Sequence, residues 1–176
     1  MRIHRLLWVA IAVLSAACVH KYKVPELASA ERPIGIRARV LLVTPEDGRD
    51  DRGVSYPGSG GWVASALSGA LRYQGVWVSI EPAPAELGKL LALAREQTAD
   101  VLVVPEIRSW SDRLTEWSGI PDRITIRSQI LAVADGRMLD DREVKASSRW
   151  LTLGGDHPQE LLPELAAQWA QTVVAP

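Results

Sequence analysis

Short apolar runs alternate with amphipathic segments through the first half of the chain. The apolar runs cover residues 38–43, 76–80 and 100–107, and the amphipathic segments cover 60–74 and 84–98. The runs predict buried strands, whereas apolar residues at helical spacing predict helices. Ser59 is the expected N-cap of the first helix, and Gly75 is expected to end it. Strand, helix, strand, helix, strand is the pattern of a parallel sheet with crossover helices.

The second half of the chain has a different pattern. Residues 123–133 alternate between apolar and polar side chains, Asp135-Gly136 is a strong hairpin signal, and 137–150 reads as a returning strand. A last helix is expected from Asp156, with Pro163 causing a kink or a late start. Its apolar stripe comprises Leu161, Leu162, Leu165, Ala166 and Trp169. The sequence therefore predicts one α/β domain with a mixed sheet of about five strands, parallel first and then antiparallel, and about three helices.

The N-terminal residues have the layout of a secretory signal peptide. Basic residues precede an apolar run over 6–14, and small residues follow it. This run is shorter than the roughly 20 residues that a membrane span needs. We therefore expect a signal peptide over 1–17, a lipidated tether over 18–35 and a periplasmic domain over 36–176. An extended tether of that length could reach about 50 Å.

Cys18 is the only cysteine of the chain, so no internal disulfide can form. The stretch from Leu14 to Cys18 resembles the lipobox of bacterial lipoproteins, although Ser15 stands where that motif usually has leucine. The resemblance implies that Cys18 carries diacylglycerol and a further acyl chain after cleavage. An ordinary signal-peptidase site is the alternative. Val19 follows the cysteine, and by resemblance to lipoprotein sorting it favours the outer membrane over the inner one.

Composition narrows the classes of function. The formal net charge is −1, and acidic and basic residues are mixed along the chain, so nucleic acid is not expected as a partner. Phe is absent and there are seven Trp, which suit both core packing and interfaces. The glycine-rich segment 57–61 lacks the lysine and the spacing of nucleotide-binding loops. No cofactor and no metal are therefore expected.

Three segments carry a resemblance to a known family. They are Ala99–Glu106, the block TEWSGIPDR over 115–123 and the block GGDHPQ over 154–159. Together they resemble a family of proteobacterial lipoproteins, common in pseudomonads, that is catalogued as a domain of unknown function. The order of elements is also similar to the periplasmic domains of the curli secretion lipoprotein and of the lipoprotein activator of penicillin-binding proteins. That second likeness concerns the fold only, and neither implies catalytic residues.

The TEWSGIPDR block supplies the first candidate site. Trp110, Glu116, Trp117, Asp122 and Arg123 combine aromatic side chains with both signs of charge. Such a loop could dock a partner, with Trp as the anchor and the charges fixing the register. The structural alternative is a wide hairpin whose Trp side chains fold back onto the sheet, with Glu116 and Arg123 paired.

The GGDHPQ block supplies the second candidate site. His157 could contact a ligand or act in catalysis with Asp156 as its orienting group, but Asp156 is also explained as a helix N-cap. Two classes of function follow. The first is a non-enzymatic binding or assembly factor of the cell envelope, held to the outer membrane by lipid on Cys18 and binding an envelope protein or peptidoglycan. The alternative is a periplasmic hydrolase that uses Asp156, His157 or a serine.

Overall fold

The structure is a computed structural model that describes residues 21–25, 31–112, 121–148 and 157–176. These residues contain six strands, three α-helices and a short 3-10 helix. The strands are β1 (Lys21–Lys23), β2 (Arg39–Val43), β3 (Trp77–Glu81), β4 (Val101–Ser111), β5 (Arg123–Ala132) and β6 (Met138–Ser147). The α-helices are α1 (Ser59–Tyr73), α2 (Leu87–Glu96) and α3 (Leu162–Val173), and the 3-10 helix is Pro158–Leu161.

One mixed sheet holds all six strands in the order β1-β6-β5-β4-β2-β3. β2 runs parallel to both β3 and β4, whereas β4, β5, β6 and β1 pair antiparallel with one another. This confirms the predicted α/β class and the change from a parallel to an antiparallel half. Among the described residues no helix is long and apolar enough to cross a membrane.

The sheet separates two hydrophobic clusters, because successive side chains of a strand point to opposite faces. The larger cluster contains α1, α3 and the 3-10 helix packed on one face of the sheet. Its members on β2 include Val40 and Leu42. The smaller cluster contains α2, which covers Leu41 and Val43 on the other face. Beyond α2, that second face presents polar and charged side chains from the antiparallel strands; we call it the open face. It includes Thr125, Arg127, Gln129, Asp141, Glu143 and Lys145.

β1, the strand beyond the five that the sequence predicted, lies inside the segment 18–35, which was predicted to be a tether. β1 pairs along the outer edge of β6, with Tyr22 opposite Ala146. Arg142 on β6 is buried, and its guanidinium donates a hydrogen bond to the carbonyl of Pro25 at 3.2 Å. Ile34 is also fully buried and bridges to Val174. Residues 21–25 and Ile34 of this segment therefore contact the domain. A strand of three residues gains its stability from its partner strand, here β6.

The start of α1 is capped from outside the helix, which corrects the role predicted for Ser59. The carboxylate of Asp47 accepts hydrogen bonds from the backbone N–H of Gly58 at 3.0 Å and of Gly60 at 2.9 Å. Ser59 instead accepts a bond from the N–H of Gly48 and donates one to the carbonyl of Tyr56. An internal carboxylate thus occupies the amides that a phosphate would need in this glycine-rich loop.

The last helix begins late, as the position of Pro163 predicted. The 3-10 turn Pro158–Leu161 comes first, and α3 follows with Pro163 in its first turn, where the missing N–H costs nothing. All five side chains of the predicted apolar stripe are buried. On the other helices some apolar side chains face solvent, since Trp62 on α1 and Leu87 on α2 are exposed.

Candidate functional site

The stems of the two motif blocks meet at one end of the sheet. The N–H of Asp122 donates to the hydroxyl of Ser148 and the N–H of Ser148 donates to the carbonyl of Asp122, both at 3.0 Å. At the same end, Nδ1 of His157 lies 3.3 Å from Oδ1 of Asp112. The folding of β4, β5 and β6 therefore brings the residues flanking TEWSGIPDR and GGDHPQ together, although they are far apart in the chain.

The structure describes three of the predicted site residues at this end, Asp122, Arg123 and His157. Asp122 is buried, whereas Arg123 is exposed at the start of β5. His157 caps the 3-10 helix through its backbone, without a side-chain capping bond. Glu116, Trp117 and Asp156 lie outside the described residues, as does Cys18, and the roles predicted for them remain predictions.

Trp110 requires a correction, because its side chain is fully buried. The residue belongs to β4, which extends to Ser111 past a bulge between Ile107 and Ser109. Its indole packs near the rings of Tyr56 and Trp62, with centroids 6.4 and 6.0 Å away. A side chain in this position stabilises the core and is not available to a partner. Trp110 therefore follows the structural alternative, in which the Trp side chains pack onto the sheet.

The Asp112–His157 pair has few of the features of a catalytic site. The side chain of His157 is 52% exposed, and its hydrogen bond with Asp112 raises its pKa above the ordinary value. A raised pKa favours the charged imidazolium, which is a poorer base near neutral pH. In the part of the chain that the structure describes, His157 has no other side-chain partner, and no group of His, Cys, Asp and Glu could hold a metal. The pair therefore reads as a surface ion pair.

A cleft of about 540 Å³ lies at the C-terminal end of β2, beside the middle of β4; the ends of parallel strands are a common ligand position in α/β sheets. Three of its four acidic residues already have internal partners. Asp47 caps α1, as described above, Asp50 accepts four hydrogen bonds from the turn that contains Arg52 and Val54, and Glu106 pairs with Arg108 at 2.7 Å. These bonds stabilise the loop after β2 and offer little to a substrate.

Among the described residues, the most exposed aromatic side chains lie at the opposite end of the sheet. Tyr73 at the end of α1 is 89% exposed and Trp77 at the start of β3 is 70% exposed. Ile36, which is 53% exposed, lies beside Gly75, and a shallow depression there is lined by Trp77 together with two arginines. We call this region the Trp77 surface; it comprises Ile36, Arg37, Arg72, Tyr73 and Trp77.

The sequence pattern missed the Trp77 surface, since the run over 76–80 predicted a strand but not its place at the edge of the sheet. β3 is an edge strand that pairs only with β2, and no described strand lies on its other side. Exposed Trp, Tyr and Arg next to a free strand edge have the composition of protein-binding hot spots. The polar residues Ser79 and Glu81 within the strand indicate that one side of it is exposed to solvent.

Residues 16–173 match the family model described as a domain of unknown function, DUF4823. The chain belongs to the DUF4823 family. This confirms the resemblance drawn from the sequence, which pointed to a family of unknown function. No curated protein sequence matches the chain at a significant level.

Several experimentally determined structures share the fold of this DUF4823 protein at low sequence identity. The PelC dodecamer from Paraburkholderia phytofirmans is 17% identical, with a TM-score of 0.62 over 90% of this chain and 98% of that one. The hypothetical protein CT253 from Chlamydia trachomatis is 13% identical, with a TM-score of 0.56 over 78% and 98%. Lipoprotein GNA1162 from Neisseria meningitidis is 10% identical, with a TM-score of 0.51 over 76% and 96%. At these identities the likeness concerns the fold.

Proposed function

We propose that this DUF4823 protein is a lipoprotein on the periplasmic face of the outer membrane, where it serves as a non-enzymatic binding and assembly factor. The signal-like segment 1–17 and Cys18 directly after it support the anchor. The fold is shared with a protein described as a lipoprotein, GNA1162. Several acyl chains on one cysteine would make release from the membrane negligible, since each buried methylene contributes about 0.8 kcal/mol.

Fractionation of cells tests the anchor. Changing Cys18→Ala should prevent acylation, so the variant should leave the outer-membrane fraction and should not incorporate labelled fatty acid. The unsubstituted chain processed in the same cells is the control. A variant that stays with the outer membrane to the same extent would contradict the lipid anchor.

The observation that carries the binding role is the Trp77 surface. It presents a large aromatic side chain near two arginines at an edge strand of the sheet. Aromatic residues and arginine dominate the energetics of protein interfaces. We assign a second copy of this chain as the occupant of the surface.

Two considerations favour a second copy over another partner, such as a different envelope protein or peptidoglycan. The PelC structure that shares this fold is a dodecamer, so the fold is compatible with the assembly of identical chains. Chains anchored side by side in one membrane would also meet at the edges of their sheets, and β3 is such an edge.

Sedimentation of the mature chain with Cys18→Ser tests this assignment without interference from lipid. Self-association should be detected, and Trp77→Ala should weaken it at least about 30-fold, the usual effect of an interface hot spot. Leu87→Ala is the matched control, because Leu87 is also an exposed apolar side chain, 45% exposed on α2, but lies away from the surface. A monomer at every concentration, or equal effects of the two substitutions, would contradict self-association through Trp77.

The Asp112–His157 pair is the observation that favours the alternative, a periplasmic hydrolase using His157, Asp156 or a serine. A base oriented by a carboxylate is one part of a hydrolytic site. Against it stand the exposure of His157 and its position outside the cleft at the C-terminal end of β2. If His157→Ala abolished the cellular function while the circular dichroism spectrum stayed unchanged, the hydrolase would replace the binding role.

A further inference from the structure

β1 fixes which end of the domain lies next to the lipid anchor. Lys21 is the first residue of β1 and follows Cys18 by three residues, which span at most about 10 Å. In the sheet, Lys21 lies opposite Ser147, and Ser147 lies opposite Arg123. The end of the sheet where β6 ends and β5 begins is therefore held close to Cys18.

Basic side chains gather on the open face at this same end. Residues directly opposite each other in antiparallel strands point to the same face. The first row across the strands thus contains Lys21 and Arg123, and the next row contains Lys23 and Lys145. All four residues are exposed. Lys145 also contacts Glu143 at 3.0 Å, in an ion pair that is half exposed and therefore weak.

The acidic side chains of the open face lie further from the anchor. Glu143 and Glu106 flank Arg127 in the third row, and Asp141 follows in the fourth row. Arg127 bonds to Asp141, and its guanidinium lies 3.9 Å from Glu106, so these two acidic groups have a cation beside them. The charge of the open face is consequently segregated, with the cations at the end nearest Cys18.

We propose that Lys21, Lys23, Arg123 and Lys145 form a binding surface for anionic phospholipid headgroups of the membrane that holds the anchor. This inference rests on the proposed lipidation of Cys18, which holds Lys21 within about 10 Å of the anchor, about one Debye length, and keeps the other three cations at the same end of the sheet. Basic residues at that distance from an anionic surface are attracted to it. The contact orients the domain, so that the end carrying Asp112, Asp122 and His157 faces the membrane.

Vesicle sedimentation tests the surface with the mature chain carrying Cys18→Ser, so that an acyl chain cannot mask the headgroup contact. The chain should bind vesicles of phosphatidylcholine mixed with equal phosphatidylglycerol, and should not bind phosphatidylcholine alone. Lys21→Gln with Lys23→Gln should lower the partition coefficient about 25-fold, because each basic residue contributes about 1 kcal/mol, or fivefold. Salt at about 1 M should abolish the binding, because screening shortens the Debye length to about 3 Å.

A charge-matched variant provides the control. Lys89→Gln with Arg137→Gln removes the same net charge from α2 and from the 135–137 turn at the other end of the sheet, and should change binding by less than about twofold. An equal loss in both variants, or no binding of the unsubstituted chain to anionic vesicles, would overturn the phospholipid surface and leave the anchor standing. If the chain binds anionic vesicles but Cys18 proves not to be acylated in cells, the phospholipid surface would be supported and the lipid anchor would be overturned.

Discussion

Trp169 and Trp77 provide the sharpest test of how the seven Trp residues are divided between core and surface. Trp169 on α3 is fully buried in the larger cluster, whereas Trp77 on β3 is 70% exposed. The same substitution to alanine should therefore have opposite consequences at the two positions. Trp169→Ala should destabilise the fold, and Trp77→Ala should leave stability almost unchanged while weakening self-association.

The expected magnitude for Trp169→Ala follows from its burial. A buried Trp removes roughly 200 Å² of surface from water, which corresponds to about 5 kcal/mol at about 25 cal/mol per Å². The indole N–H finds no acceptor among the described residues, and removing that buried donor returns about 1 kcal/mol or more. We expect a net loss of about 3–4 kcal/mol, within the range of about 3–5 kcal/mol typical of core Trp→Ala changes. Trp77→Ala should cost less than about 0.5 kcal/mol, as at other surface positions.

Urea unfolding followed by far-ultraviolet circular dichroism measures both values. The mature chain with Cys18→Ser should be used below the concentration at which it associates, because assembly adds to the apparent stability. The slope of the free energy against urea should stay the same in both variants, so that the midpoint reports stability. A loss below about 1 kcal/mol for Trp169→Ala, or a larger loss for Trp77→Ala than for Trp169→Ala, would refute the packing described here.

Three further substitutions test other parts of the structure. Asp47→Ala should cost about 1 kcal/mol in urea unfolding, because it removes the cap of α1; no loss would contradict the capping geometry. Since the pKa of His157 is raised in the folded chain, its pairing with Asp112 stabilises the fold below about pH 6.5 and this contribution is lost as the pH rises through the folded-state pKa. The melting temperature of His157→Gln should therefore fall below that of the unsubstituted chain at pH 5.5 and match it at pH 9, and a constant difference would contradict the pairing. Arg142→Met should release β1, seen as faster hydrogen exchange over Lys21–Lys23, and unchanged exchange would show that Arg142 does not hold that strand.

The sequence was sufficient for the elements whose side chains follow a regular period. The run Val101–Val104 lies in a central strand with neighbours on both sides, and the Asp135-Gly136 turn joins β5 to β6. All five predicted members of the C-terminal stripe are buried, although the stripe also continues to Ala170 and Val173, because a helix that packs on a sheet buries a wide apolar face. These features depend on local pattern, which is visible without knowledge of the strand order.

Features that depend on long-range pairing were not visible in the pattern. β1 contains three polar or aromatic residues, and only its pairing with β6 makes it a strand. The exposure of Trp77 depends on the position of β3 at the edge of the sheet, which the order of elements along the chain does not determine. The cap that Asp47 provides for α1 spans more than ten residues of loop, beyond the reach of local capping rules. The Trp77 surface, the strongest candidate for binding a partner, could therefore be recognised only from the fold.

The central claim is that anchored copies of this protein meet through the Trp77 surface, and cross-linking in intact cells tests it most directly. A photoactivatable amino acid in place of Tyr73, which belongs to the Trp77 surface and is 89% exposed, should in the lipidated full chain give adducts at multiples of the chain mass that contain only this protein. The same amino acid at Glu164, on the exposed side of α3, serves as the control and should give no such ladder. Adducts at position 73 that contain no second copy, or a ladder from both positions alike, would contradict assembly through this surface.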